Sequence, residues 1–264
     1  RGGPVDCGFD TYFGVDVPNF PPYTWFEDDR LTDPPTEEKP DDLFGHPGLM
    51  KTGWKHEPMI PEFTRRALEY IERSGPEPFF IYFPLTSPHN PIAPNEEFIG
   101  RSGAGLYGDF VCEVDWVVGE VAAALERKGI AGDTLLVFTS DNGPECNRSA
   151  DGGAYERVRT SGHYSMGDLR GVKRDTWEGG HRVPLIASWP RLVPGGARCD
   201  RLVMLGDFMA TCADFLGVRL GEDEAEDSVS ILPLLRGERG ATVRDSVVHH
   251  SCSGQFAVRS GNWV

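Results

Sequence analysis

Two short, uninterrupted apolar runs constrain this chain more than any other feature. Phe79-Phe80-Ile81-Tyr82-Phe83 and Thr134-Leu135-Leu136-Val137-Phe138-Thr139 show no polar alternation. A strand that is apolar on both faces must be covered on both faces, as happens in sheets flanked by helices. Each run ends in a polar cluster: Thr86-Ser87-Pro88-His89-Asn90-Pro91 after the first, and Ser140-Asp141-Asn142-Gly143-Pro144 after the second. Pro184-Leu185-Ile186-Ala187-Ser188-Trp189 reads as a third core strand and Leu202-Val203-Met204 as a short fourth.

Helical periods fall between these runs. Phe63, Ala67, Leu68 and Ile71 form an apolar stripe from Pro61, and Gly75-Pro76 ends it. A longer stripe, including Phe110, Val114, Val117, Val121 and Leu125, predicts a helix from Tyr107 to Lys128 with Gly129 closing it. Asp207 predicts the N-cap of a helix through Leu216 that ends at Gly217, and Ile231 to Leu235 reads as a helical turn. Ser246 to His250 and Gln255 to Arg259 predict two strands of a small antiparallel sheet. Alternating helices and strands imply an α/β fold with a parallel or mixed sheet, and ligands bind such sheets beyond the carboxyl ends of the strands.

Two regions show no period. The first fifty residues are broken by Pro18, Pro21, Pro22, Pro34, Pro35 and Pro40 and predict a long loop over the core. Glu145 to Asp175 is polar and glycine-rich and also predicts loop. The acidic stretch 222–227 reads as a linker, dividing the chain into 1–225 and 226–264. Arg1 is not a methionine, and Gly261 to Val264 reads as the start of a strand, so the chain is expected to be part of a longer protein.

Composition removes several functions. With 26 Lys+Arg against 41 Asp+Glu, a net charge of -15, the chain has no basic face for general nucleic-acid binding. No apolar run approaches the ~18 residues of a membrane span. The six cysteines are scattered, without a C-x-x-C pair or zinc spacing, and do not set the redox compartment.

Chemistry concentrates at three places. Asp141-Asn142-Gly143 is by itself a turn signal, but at a strand end its side chains offer the hard oxygen donors that calcium and magnesium take. His89 sits at the matching place on the other run, between Pro88 and Pro91. A lone histidine is more often a structural hydrogen-bonder, but here an imidazole could protonate a leaving oxygen. Lys173 lies in Gly171-Val172-Lys173, shortly before Trp177-Glu178-Gly179-Gly180-His181-Arg182-Val183-Pro184. A lysine is usually a solvated charge, yet these glycines and Trp177 suggest a packed loop that holds the ammonium. His163 nearby is a candidate substrate contact, and His181 an orienting or packing residue.

In this order the segments resemble the sulfatase family of the alkaline phosphatase superfamily. The carriers are Pro88-His89-x-Pro91, Phe138-Thr139-Ser140-Asp141-Asn142-Gly143-Pro144, and Gly171-x-Lys173 followed by Trp177-Glu178-Gly179-Gly180-x-Arg182-Val183-Pro184. Gly8-Phe9-Asp10 and Tyr107-Gly108 to Asp115 add to it, and the wording around Leu169 to Trp189 is most like bacterial sulfatases acting on sulfated sugars. The resemblance implies an alkaline-phosphatase-like mixed sheet flanked by helices, held here in part, with the start of a small C-terminal antiparallel sheet. It implies hydrolysis of a sulfate ester on a sulfated small molecule or saccharide. Asp141 and Asn142 would ligate one calcium ion, with further ligands upstream. Lys173 would contact the sulfate and the bridging oxygen, and His89 the leaving-group oxygen. Export to the periplasm or outside is implied as well.

The family's nucleophile is a formylglycine made from a C/S-x-P-x-R motif. None of the six cysteines has this context, and Ser188-Trp189-Pro190-Arg191 places the arginine one residue early. The formylglycine is therefore expected upstream, and these 264 residues alone are expected to be inactive. Two other readings remain: a phosphoester or phosphonate hydrolase of the same superfamily, and a sugar-binding pseudoenzyme without a nucleophile.

Overall fold

The computed structural model describes residues 2–146 and 153–264. They form two compact units. One holds residues 2–128 with Arg159–Gly162; the other holds 129–146, 153–158 and His163–Val264.

The first unit opens with very short strands. β1 (Phe13–Gly14), β2 (Phe26–Glu27) and β3 (Arg30–Leu31) pair antiparallel in that order, and β4 (Glu37–Glu38) pairs antiparallel with β5 (Leu49–Met50). Helix α1 (Met59–Arg73) packs on helix α2 (Gly105–Arg127). Both follow the predicted apolar stripes. Glu62 and Glu69 flank Arg65 at 2.5 Å each on the polar face of α1. Lys128 ties the helix ends together, its Nζ donating to the carbonyls of Glu72 (3.0 Å) and Ser74 (2.6 Å). Gly129 follows with φ +75°, the left-handed position that closes α2.

The proline-rich start was expected to drape over a core; it builds one instead. Tyr23, Met50 and Trp54 are buried with Met59, Ile60, Phe63, Phe110 and Val117 in one cluster. Each large side chain so buried contributes on the order of 2 kcal/mol. Prolines and two-residue strands erase any sequence period, so the periodic signal was absent although the packing is present. The Tyr23 hydroxyl donates to the His46 carbonyl at 2.7 Å, which satisfies its buried polar end.

The run 79–83 forms no strand, and Phe80 and Tyr82 are 68% and 69% exposed. Phe79 packs on Tyr70 and Phe83 on the core cluster, so among the described residues one face of the run is partly covered and the other is not.

The second unit holds β6 (Leu136–Thr139), the first five residues of α3 (Ala154–Ser161), α4 (Glu178–His181) and β7 (Leu185–Ser188), with glycine-rich loops between them in the chain. β6 and β7 pair antiparallel, with Thr139 opposite Leu185 and Leu136 opposite Ser188. Among the described residues every strand ladder is antiparallel, and parallel pairing is limited to the single bridge between Tyr23 and Met50. Both strands were expected to be covered on both faces, yet Ile186 is 62% exposed. Helix α3 forms inside the stretch expected to be loop, and residues 202–204 form no strand.

α5 (Asp207–Leu216) ends at Gly217, φ +68°, as the glycine predicts. Asp207 does not cap forward, however. Its fully buried carboxylate reaches back to the amide of Met204 (2.9 Å) and across to that of Val229 (3.0 Å), and pairs with the Arg244 guanidinium. α6 (Leu232–Leu235) follows, then β8 (Ser246–His250) and β9 (Phe256–Ser260), an antiparallel hairpin with Val248 opposite Val258.

Candidate functional site

The turn after β6 is locked by its own side chains. Ser140 Oγ donates to the Asn142 carbonyl at 3.1 Å, and Asn142 Nδ2 donates to the Gly143 carbonyl at 2.9 Å. This second bond fixes the amide, so Asn142 Oδ1 is the oxygen left to take a cation. The chain then runs alongside the loop that carries Lys173. Gly143 donates its amide to the Gly180 carbonyl (2.9 Å), and Lys173 donates its amide to the Pro144 carbonyl (2.8 Å). The contact is so close that a Cβ at Gly143 would stand 1.8 Å from the Gly179 carbonyl oxygen. Glycine is the only residue that fits there.

The lysine loop is tight. Val172 is buried; its amide donates to Asp175 Oδ2 (3.0 Å), and its carbonyl accepts from the Asp175 amide (3.0 Å). Arg174 follows Lys173 at φ +78°, a left-handed conformation uncommon for a side chain of this kind. Its guanidinium grips both oxygens of the Glu145 carboxylate, and that bond raises the arginine pKa. Trp177, expected to pack the loop, is half exposed and lies under the Arg170 guanidinium at 3.7 Å. Lys173 itself is half-buried. Among the described residues, its ammonium and the Asp141 carboxylate form no hydrogen bond or ion pair. The turn thus presents one carboxylate, one amide oxygen and one ammonium, all uncommitted.

His163 is reached from the same turn by another route. The Glu145 carbonyl accepts the Ala154 amide at 2.8 Å at the start of α3, and His163 at the far end donates its amide to the Arg157 carbonyl at 3.3 Å. Burial, then the Arg157 charge, push the His163 pKa down.

His89 belongs to the first unit and is exposed, between cis peptide bonds at Pro88 and Pro91. Its Nδ1 lies 2.7 Å from the Asn90 carbonyl, which can only accept, so Nδ1 carries the proton. Nε2 can then donate only when the ring is an imidazolium. His89 lines a small cleft with Pro18, His56, Met59 and Phe110. His56 Nε2 donates to the Pro18 carbonyl at 3.2 Å, and burial pushes its pKa down.

Among the described residues no three His, Cys, Asp or Glu side chains converge on one point. Asp141 and Asn142 offer two hard oxygens, whereas calcium takes about six to eight. They fit as part of such a shell. Sequence reasoning missed Glu145 and Arg174, which pair across 29 residues, a separation with no local signature.

The fold and this turn define an α/β protein with hard-oxygen donors past a strand end and a lysine-bearing loop laced to that turn by its main chain. Residues 7–218 match the family described as Sulfatase, and the chain belongs to that family. It is 35% identical over 210 residues to an N-acetylgalactosamine-6-O-sulfatase of Bacteroides thetaiotaomicron, covering 80% of this chain and 40% of that protein. It is 32% identical over 214 residues to the steryl-sulfatase of Homo sapiens, covering 80% of this chain and 35% of that protein. A solved Bacteroides thetaiotaomicron structure, described under metabolism of multiple glycosaminoglycans, superposes with a TM-score of 0.83 at 28% identity. That match covers 96% of this chain and 60% of the other. The chain therefore spans 40% or less of the length of these two curated relatives. No helix among the described residues is long and apolar enough to cross a membrane.

Proposed function

We propose that the protein containing this chain hydrolyses a sulfate ester on a sulfated carbohydrate. The observation that carries this reading is the main-chain lacing of Gly143 and Pro144 to Gly180 and Lys173, which brings two loops with uncommitted charges together. Asp141 and Asn142 are assigned as calcium ligands. A bound calcium would neutralise a sulfate oxygen and the charge that grows on it. Lys173 holds the sulfate and the bridging oxygen by charge-assisted hydrogen bonds. His163 contacts the substrate. His89 donates to the leaving oxygen from Nε2, its Nδ1 proton being held by Asn90. The nucleophile is a formylglycine outside these residues, so the 264-residue chain by itself does not turn over sulfate esters.

The catalytic domain is assigned to 1–225 and a C-terminal subdomain to 226–264, with the protein acting in the periplasm or outside the cell. The sugar preference is supported by the match over 96% of this chain to the structure described under glycosaminoglycan metabolism.

The test is sulfate release by the protein expressed over its whole reading frame. Substrates are N-acetylgalactosamine 6-sulfate, a steryl sulfate and a phosphate monoester. Release from the sulfated sugar, abolished in Asp141→Ala together with calcium affinity, is expected. Preference for the steryl ester would overturn the carbohydrate assignment. Preference for the phosphate ester would overturn the sulfatase assignment. Unchanged calcium binding in Asp141→Ala would remove the metal role of that residue.

A further inference from the structure

Three consecutive carbonyls follow Lys173, and each is held by a separate donor. The Arg174 carbonyl accepts from the Cys252 amide at 3.2 Å. The Asp175 carbonyl accepts from His181 Nε2 at 2.7 Å. The Thr176 carbonyl accepts from His249 Nε2 at 2.9 Å. Carbonyl oxygens cannot donate, so both imidazoles carry their proton on Nε2. The two rings lie against each other, with centroids 4.4 Å apart. One turn further, Glu178 pairs with Arg259 of β9. Cys252 and His249 belong to the β8–β9 hairpin region, about 75 residues beyond the lysine loop in sequence. The loop they grip contains the left-handed Arg174, a backbone conformation that persists only where its surroundings over-determine it.

We propose that His249, acting with His181 and the Cys252 amide, is a positioning residue that holds the Lys173 loop in its working conformation. Lys173 is pinned ahead of its side chain by the Pro144 carbonyl. Behind it the Val172–Asp175 bonds and the Arg174–Glu145 pair hold the turn from within. The three donors restrain its far side, where a relaxation of Arg174 toward negative φ would carry the ammonium with it. The hairpin thus acts on the ester through Lys173 and not by touching it. This step rests on the role given to Lys173 above, while the conformational part stands without it.

The experiment uses the protein expressed over its whole reading frame and four variants: His249→Phe, His249→Gln, Lys173→Ala and the His249→Phe/Lys173→Ala pair. Phenylalanine keeps a ring against His181 but cannot donate, whereas glutamine restores an N–H near the Nε2 position. Backbone amide hydrogen exchange over 172–178 and steady-state kinetics on the best sulfate ester are read together. His249→Phe is expected to speed exchange in that segment and to lower kcat by about tenfold or more, as displacements near 1 Å do. His249→Gln should recover most of both. In the Lys173→Ala background, His249→Phe should cost nothing further in rate. Unchanged exchange in His249→Phe overturns the proposal. So does a rate loss that is fully additive with Lys173→Ala. If Lys173→Ala keeps full activity, the role of Lys173 falls, and the exchange data alone decide whether His249 holds the loop. Should His249→Phe fail to fold, His181→Phe puts the same question to the Asp175 carbonyl.

Discussion

The amide of Lys173 donates to the carbonyl of Pro144 across 2.8 Å, so the lysine is fixed by its main chain and not by its charge. Its ammonium makes no ion pair among the described residues. Removing the side chain should therefore leave the fold intact. Lys173→Ala is expected to change unfolding free energy by about 0.5 kcal/mol or less, as surface substitutions do. Turnover of a sulfate ester should fall by about 100-fold or more, the scale of losing a charge-stabilising donor. Urea unfolding and kcat on the same preparations check this. A large stability loss would mean that the ammonium has a structural task.

Gly143 is the narrowest point of the lacing. Both atoms that a Cβ would strike first, the oxygen and carbon of the Gly179 carbonyl at 1.8 and 2.8 Å, are main chain and cannot rotate away. Gly143→Ala should cost about 2 kcal/mol or more in urea unfolding, as overpacking at a rigid contact does. It should also separate the two loops and remove activity. If Gly143→Ala unfolds like the parent, the loops are not packed this closely.

Asp207 is fully buried, and Arg244 supplies its only guanidinium among the described residues. Arg244→Ala leaves a buried carboxylate with two amide donors and no counter-charge. Breaking such a pair from one side costs about 3 to 5 kcal/mol. Asp207→Asn with Arg244→Met, which removes both charges, should cost clearly less. Thermal and urea melts of the single and double variants separate the two expectations.

Glu113 on α2 is buried, with Oε2 accepting the Asn95 amide at 3.0 Å and Oε1 without a hydrogen-bond partner among the described residues. Burial pushes its pKa up to about 7, the Asn95 bond pulls it down and the Glu97 charge raises it. Between the ordinary value of 4.5 and about 7 the folded state binds the extra proton, so stability falls as pH rises through that window. Glu113→Gln cannot ionise and should flatten this slope, with the variant gaining on the parent at pH 8. Unfolding free energies at pH 5 and pH 8 measure it; parallel curves for the two proteins would refute it.

Helices α1, α2, α5 and α6 and the hairpin were legible in the sequence because their information is local, whereas α3 and α4 were not. The stripe from Phe110 to Leu125, Gly129 and Gly217 at helix ends, and the alternation in Ser246 to His250 each act within a few residues. The resemblance to sulfatases was legible for the same reason, since its motifs are short runs of adjacent residues. The α/β class followed from both.

Only tertiary structure decided the rest. That Tyr23 and Trp54 form a core, that Glu145 meets Arg174, and that His249 reaches the Thr176 carbonyl all depend on residues far apart in the chain. No spacing encodes such pairs. The same holds for Phe80 and Tyr82, whose apolar run demanded cover on both faces. A side chain's hydrophobicity states what burial would gain, but whether another layer is there to bury it is a property of the assembled fold.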